Sequence, residues 1–179
     1  MKCKPIFYAF ELLYWTGIRE GELIALEVGD FDFKKKTMTI NKSLQRINKE
    51  DVITDPKTDK GIRTIDLPDF LCDEVEDYIG MLYKSDKNSC LFYISKSYLH
   101  YEMDRGCKAS GVKRIRIHDL RHSHVAHLIE LGFSPVDIAD RMGHESMAVT
   151  LNYAHLYPSK GKAMAERLSE DRDEHKKGV

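Results

Sequence analysis

The sequence predicts an α+β fold that is mostly α-helical, with a small antiparallel three-stranded sheet near the N-terminal third. Apolar residues recur at helical spacing on both sides of residues 37–67, whereas that stretch contains three short strand-like segments separated by turn formers. The 179 residues contain no internal repeat and no linker rich in Pro, Gly or Ser. A single domain over residues 1–179 is therefore expected.

Two helices are predicted at the start of the chain. The apolar spacing of Ile6–Tyr14 is helical, and the following Thr16-Gly17 pair predicts its end. A second, short helix is predicted within residues 19–28, where Leu23 and Leu26 fall on one face.

Strand-like segments follow at residues 37–44, 51–54 and 62–67. The segment DPKTDKG between the last two is rich in residues that favour turns. Residues 51–67 are therefore predicted to form a β-hairpin with Lys57 in or beside its turn.

The remainder of the chain is predicted to be helical. A helical pattern resumes at residue 68, and the segment SPVDIADRMG has well-marked ends. Ser134 suits the N-cap, Pro135 the first helical position, and Gly143 the C-terminal stop.

The charge of the chain is unevenly distributed. The net charge is −1, which by itself argues against a nucleic-acid binder. However, basic residues dominate Lys34–Arg63 and Lys108–Arg121, whereas acidic residues collect elsewhere. These two segments predict a site for a polyanion on one side of the molecule.

The composition favours a cytoplasmic protein without a membrane segment. No apolar run approaches the roughly 20 residues that span a bilayer. The basic and then apolar start resembles a signal peptide, but Glu11 interrupts it and no cleavage site follows. The four cysteines form no CxxC pair, and free thiols suit a reducing compartment.

Three polar clusters lie beside predicted helix ends. They are Arg19 and Glu22 in TGIREGEL, His118 and Arg121 in HDLRH, and His144 and Tyr153 in GHESMAVTLNYAH. A surface ion pair is the plain alternative for the first cluster. Taken alone, Tyr153 could equally be a core aromatic, and Met147, Val149 and Leu151 are expected to anchor its helix.

Several kinds of site are excluded by the motifs. His118 and His122 have the i, i+4 spacing of metal ligands, but HExxH and paired cysteines are missing, so no metal is expected. GxSxG is also missing, and the clusters offer cations rather than grouped carboxylates. Arginine, histidine, a turn lysine and a tyrosine suit a metal-free attack of tyrosine on a phosphodiester.

The chain resembles the catalytic domain of the tyrosine recombinase (phage integrase) family. The three clusters resemble its signature boxes, in the family's order, and TDPKTDKGIRTIDLP resembles its lysine-bearing hairpin, as in integrases of conjugative transposons and temperate phages. The resemblance covers essentially the whole chain. Family members carry a core-binding domain, often with an arm-binding domain, before this part; we expect both to be absent here, as in a truncated protein or gene remnant.

The resemblance implies a role for each matching residue. The catalytic residues would be Arg19, Lys57, His118, Arg121, His144 and the nucleophile Tyr153, with Glu22 supporting Arg19. The DNA-contacting residues would be Lys42, Arg46, Lys60, Arg63 and Arg116. Tyr153 would form a 3′-phosphotyrosyl link, Lys57 would protonate the leaving 5′ oxygen, and no metal, ATP or cofactor would be needed.

The resemblance also implies the partners and leaves two other readings open. The expected substrate is double-stranded DNA at recombination or attachment sites, bound by a homotetramer that is monomeric without DNA. The same residues suit a type IB topoisomerase that nicks and reseals DNA. A non-catalytic DNA-binding remnant of an integrase is the other alternative, although every catalytic position is chemically competent.

Overall fold

The computed structural model describes residues 4–48, 50–56, 61–144, 146–157, 161 and 164–170. The helices are α1 (Pro5–Thr16), α2 (Glu20–Ala25), α3 (Asp69–Gly80), α4 (Lys96–Ser110), α5 (Ile117–Glu130), α6 (Pro135–Met142) and α7 (Met147–Leu151). The strands are β1 (Phe31–Asp32), β2 (Thr37–Ile40), β3 (Ser43–Ile47), β4 (Glu50–Thr54) and β5 (Arg63–Asp66). Short 3-10 turns cover Val28–Asp30 and Ala154–Leu156. The predicted α+β class, helical with small antiparallel sheets, is confirmed.

The strands form two separate sheets within the described residues. One has the order β1-β2-β5, and the other is the β3-β4 hairpin, with antiparallel pairing throughout. The predicted hairpin over residues 51–67 is therefore wrong, since β4 pairs with β3 and β5 pairs with β2. The predicted strand 37–44 is also interrupted, because its residues divide between β2 and β3.

Burial of apolar side chains explains the observed pairing. Met38 and Ile40 alternate with less buried residues along β2, and Ile65 lies opposite Met38. Each of these three side chains is at most 1% exposed. A one-residue shift would turn them to solvent, so this register is strongly favoured. In contrast, Val52 and Ile53 on β4 are exposed, and β4 gains little by joining the core.

Helix α1 lies at the centre of the larger core. Its Leu12 and Leu13 are fully buried, and it packs against α2, α3 and α5. A smaller apolar cluster consists of Val125, Ile129, Ile138 and Met142 from α5 and α6. Tyr153 packs against this second cluster, which brings the end of α7 beside α5.

The helix ends show why the elements stop where they do. Ser134 Oγ accepts a hydrogen bond from the Asp137 N–H at 3.2 Å, and Gly143 ends α6 with φ +64°. Both caps agree with the sequence prediction. None of the helices in the described ranges is both long and apolar enough to cross a membrane.

Gly17 ends α1 at a place where both its conformation and its surroundings demand glycine. Its φ is +65°, and its N–H bonds the Leu13 carbonyl at 3.1 Å. A Cβ there would lie 2.7 Å from both His124 Cδ2 and Met142 Cε. Gly111 ends α4 with φ +72° but has open space around it.

The two glycines form a matched pair for a stability test. Gly111→Ala should lower the free energy of unfolding by about 1 kcal/mol, the cost of a left-handed conformation. Gly17→Ala should cost about 1–3 kcal/mol more, because the added methyl overpacks the site. Urea unfolding measures both losses, and equal losses would contradict the close approach at Gly17.

Candidate active site

Arg19 and Glu22 form a hydrogen-bonded pair at the start of α2. The Arg19 N–H donates to Glu22 Oε2 and its Nη1 to Oε1, both at 2.8 Å. The carboxylate thus satisfies an N–H that the first helical turn leaves without a partner. The Glu22 side chain is 6% exposed, whereas that of Arg19 is 43% exposed. Glu22 therefore holds an arginine that still reaches solvent.

Arg63 binds the same carboxylate from β5. Its Nη1 and Nη2 donate to the two Glu22 oxygens at 3.1 and 2.8 Å, and its Nε donates to the Arg141 carbonyl at 3.2 Å. The Arg63 side chain is 6% exposed. Arg63 is one of the residues expected to contact DNA. In the structure its guanidinium is buried and occupied, so it joins α2, β5 and α6.

The Glu22 carboxylate is strongly held in its charged form. Burial by itself raises its pKa, but the hydrogen bonds and charge of Arg63, together with Arg19, more than offset this effect. The result is a pKa of about 2. At neutral pH the cluster consequently carries one anion between two cations.

Arg121 is the most enclosed arginine of the site. It is 5% exposed, and its Nη1 and Nη2 each donate at 2.7 Å, to the Gly17 and Met142 carbonyls. Burial, and next the charge of Arg19, lower its pKa to about 9. The guanidinium remains a cation at neutral pH, with its orientation fixed by two backbone groups.

His144 follows the left-handed Gly143 and points into the protein. Its Nδ1 lies 2.9 Å from Thr150 Oγ1, and both residues are buried. Burial, followed by the charges of Arg121 and Arg19, lowers its pKa to about 4. The imidazole is therefore neutral at pH 7, and Thr150 sets its orientation from α7.

The anchoring of α7 differs from the sequence expectation. Met147, Val149 and Leu151 are 38%, 42% and 52% exposed, so the expectation that they anchor this helix is wrong. Thr150 is fully buried instead. A hydroxyl bonded to His144, rather than an apolar face, fixes the segment before Tyr153.

Tyr153 lies beside two histidines of α5. Its hydroxyl is hydrogen-bonded to His122 Nδ1, and the two rings are 5.8 Å apart. The His118 ring meets that of His122 edge-on at 4.9 Å. Burial raises the pKa of Tyr153, against an opposing effect of the Arg121 charge. The phenol is thus protonated at neutral pH.

Most of these side chains, but not those of Arg63 and Thr150, line one open cavity of about 410 Å³. Of the predicted catalytic residues, it brings together Arg19, His118, Arg121, His144 and Tyr153, with Glu22 also at the wall. Lys57 and Lys60 lie outside the described residues. Pro56 and Gly61, which border residues 57–60, also line the cavity.

The other predicted DNA-contacting residues have different surroundings. Lys42 lines the cavity, but its Nζ is bonded to both Asp30 oxygens at 3.0 Å and to Glu27 at 3.2 Å. The side chain of Arg46 is 66% exposed. That of Arg116 is 74% exposed and is paired with Asp119 at 2.8 Å.

Two residues of the site were missed as contributors to it. His122 stands in the HDLRH segment, where its i, i+4 spacing from His118 suggests a metal site, and helix-face burial or a non-metal catalytic role are the alternatives that the sequence leaves open. Within the described part of the chain, no three His, Cys, Asp or Glu residues are grouped as metal ligands. Thr150 belongs to no recognisable sequence motif and simply lies three residues before Tyr153. Only the structure identifies it as a contributor to the site, through its contact with His144.

The sequence of this chain is similar to those of known integrases and recombinases. The sequence profile of the phage integrase family matches residues 4–160. The integrase of ICEBs1 from Bacillus subtilis is 31% identical over 175 residues, which is 90% of this chain and 48% of that protein. Tyrosine recombinase XerA from Pyrococcus furiosus is 30% identical over 168 residues, which is 88% of this chain and 52% of that protein.

A solved structure shares the fold. The Tn1549 transposon integrase, in complex with a circular intermediate DNA, matches with a TM-score of 0.76 at 24% identity. The match covers 90% of this chain and 58% of that chain. The chain spans about half the length of the curated relatives it matches.

Two buried histidines predict how stability depends on pH. Burial and nearby arginine charge lower the pKa values of His124 and His144 to about 4. Because both values lie below that of free histidine, the stability they contribute is complete above about pH 6.5 and is lost as pH falls towards 4. The free energy of unfolding should decrease over this window.

Single substitutions separate this effect from general acid sensitivity. His124→Asn should reduce the loss between pH 6.5 and 4 by roughly 1–3 kcal/mol. His155 is exposed, so His155→Asn should leave the loss unchanged. Urea unfolding at several pH values measures both, and an unchanged slope in His124→Asn would refute the assignment.

Proposed function

Because the chain belongs to the phage integrase family, we propose that it cleaves and rejoins double-stranded DNA in site-specific recombination. The cut strand would be held as a 3′-phosphotyrosyl ester on Tyr153. One observation carries the proposal: two arginines, a buried histidine and the Tyr153 hydroxyl face the same cavity. That arrangement suits a phosphodiester bound next to a nucleophile.

The two arginines neutralise the scissile phosphate. Arg121 is fixed by two carbonyls and Arg19 by Glu22, so neither has to reorganise when charge builds on the non-bridging oxygens. Losing one such preorganised donor typically costs about 10²–10³ in rate. This requirement explains the buried carboxylate and its second partner, Arg63.

The histidines divide the remaining work. With the Thr150 hydroxyl donating to Nδ1, the neutral His144 carries its proton on Nε2 and donates it to the phosphate. His118 assists transfer of the Tyr153 proton from its place beside His122. A free phenol has a pKa of about 10, so such assistance is needed at neutral pH.

The reaction needs no metal, cofactor or ATP. The ester on Tyr153 conserves the energy of the broken phosphodiester bond, and a 5′-hydroxyl reverses the attack to rejoin the strand. Attachment or recombination sites in duplex DNA are the substrate, with Lys42, Arg46, Lys60 and Arg116 towards its phosphates. We further propose a cytoplasmic monomer that forms a tetramer on DNA.

Substitution of the nucleophile tests this proposal. The chain is incubated with a pool of nicked suicide duplexes of random sequence, from which the cleaved fragment diffuses away and leaves a covalent adduct. Tyr153→Phe should abolish the adduct and leave duplex binding nearly unchanged. Denaturing gel electrophoresis detects the product.

Tyr157 provides the matched control. It packs against the same apolar cluster as Tyr153, and its hydroxyl has no hydrogen-bond partner among the described residues. Tyr157→Phe should therefore retain the adduct. An adduct with Tyr153→Phe, or none with the unaltered chain, would contradict the function. Relaxation of supercoiled DNA without strand exchange would indicate the topoisomerase reaction instead.

The proposed role of Lys57 as general acid has its own test. The flanking Pro56 and Gly61 line the cavity, which supports a lysine at this place. Lys57→Ala should slow cleavage by about 10²–10⁴, the usual range for a general acid. A 5′-phosphorothiolate duplex should restore the rate, because sulfur leaves without protonation. A slow reaction on that duplex would move the role to another group, and Lys60, three residues further along the sequence, is the next candidate.

A further inference from the structure

The contact between His122 and Tyr153 joins two segments that are distant in sequence. His122 lies on α5, directly after the phosphate-facing Arg121, and Tyr153 follows α7. Nδ1 of the imidazole meets the phenolic oxygen itself, rather than the edge of the ring. The nitrogen therefore touches the atom that would attack the phosphate.

The other two histidines of the cavity are arranged differently. His144 uses its Nδ1 for Thr150. His118 presents its ring edge-on to His122, and its pKa is lowered first by burial and then by the charge of His122. Of the three imidazoles, His122 is the one whose ring nitrogen is bonded to the nucleophile.

We propose that His122 is a catalytic residue, the base that accepts the proton of Tyr153, given the function proposed above. The phenolic O–H bond breaks towards Nδ1 while the new O–P bond forms. The bond from phosphorus to the 5′ oxygen breaks at the same time, and this oxygen takes a proton from Lys57 in the role proposed above. The proton stays on His122 during the lifetime of the ester. On rejoining, the 5′-hydroxyl attacks phosphorus and gives its proton back to Lys57, while Nδ1–H returns a proton to the departing phenolate oxygen.

The surroundings of His122 suit a proton acceptor. Its charged and titratable neighbours are His118, Asp119 and Arg121 on α5, and Tyr153 beyond α7. The Asp119 carboxylate balances a positive charge on the ring, while Arg121 favours the phenolate that proton transfer produces. The burial that raises the pKa of Tyr153 makes a local base necessary.

Asparagine distinguishes proton transfer from mere positioning. Its Oδ1 can replace Nδ1 as a hydrogen-bond acceptor but has no useful basicity. On the suicide duplexes described above, His122→Asn should lower the single-turnover cleavage rate by about 10² or more at unchanged affinity. The rise of the cleavage rate with pH should disappear as well. His127→Asn, on the same helix but outside the cavity, should keep both rate and profile.

A second variant and a spectroscopic readout complete the test. His122→Ala should recover part of its rate when imidazole is added. In the DNA-free chain, the His122 ¹⁵N spectrum should show a proton-free Nδ1 whose resonance moves in Tyr153→Phe. This measurement does not depend on activity.

Distinct outcomes would overturn distinct claims. A His122→Asn variant that keeps the wild-type rate and pH profile would overturn the role of His122 alone. A protonated Nδ1 that is insensitive to Tyr153→Phe would do the same. Absence of a covalent adduct from the unaltered chain would overturn the proposed function, and the proton transfer with it.

Discussion

The buried carboxylate of Glu22 is the interaction on which the site depends. It accepts hydrogen bonds from Arg19 and Arg63, and Arg63 also reaches the Arg141 carbonyl of α6. Removing one partner of such a buried pair typically costs 3–5 kcal/mol, because the other charge is left uncompensated. The same contacts place Arg19 at the cavity, so fold stability and the proposed binding of a phosphate rest on one anion.

The second cation of the site is supported by helix ends rather than by a carboxylate. Gly17 caps α1 and Met142 is the last residue of α6, so their carbonyls lie where a helix lacks internal donors. The negative ends of the two helices face the Arg121 guanidinium. Burial there shifts its pKa only to about 9, and its charge survives at neutral pH. Because no carboxylate among the described residues forms an ion pair with Arg121, its charge is available to an anion in the cavity.

The sequence could predict whatever is encoded within a few residues. The caps at Ser134 and Gly143 and the polar clusters at helix ends belong to this class. Arg63 and Glu22 are 41 positions apart in the sequence, so their contact could not be predicted from local patterns. The basic side chain of Arg63 therefore suggested a DNA contact, whereas its partner in the structure is a buried carboxylate. The pairing of β5 with β2 was missed for the same reason, since burial of Ile65 opposite Met38 is a property of the assembled core.

The segment that bears Tyr153 combines accurate placement with weak apolar packing. Helix α7 has five residues, and three of its apolar side chains are substantially exposed. Two polar contacts attach this segment to the rest of the site: Thr150 is bonded to His144, and Tyr153 is bonded to His122. Hydrogen bonds of this kind contribute about 1 kcal/mol each, far less than a packed helix face. In the proposed reaction, Tyr153 would therefore move towards a bound phosphate at low cost, and the two histidines that contact this segment line the same cavity.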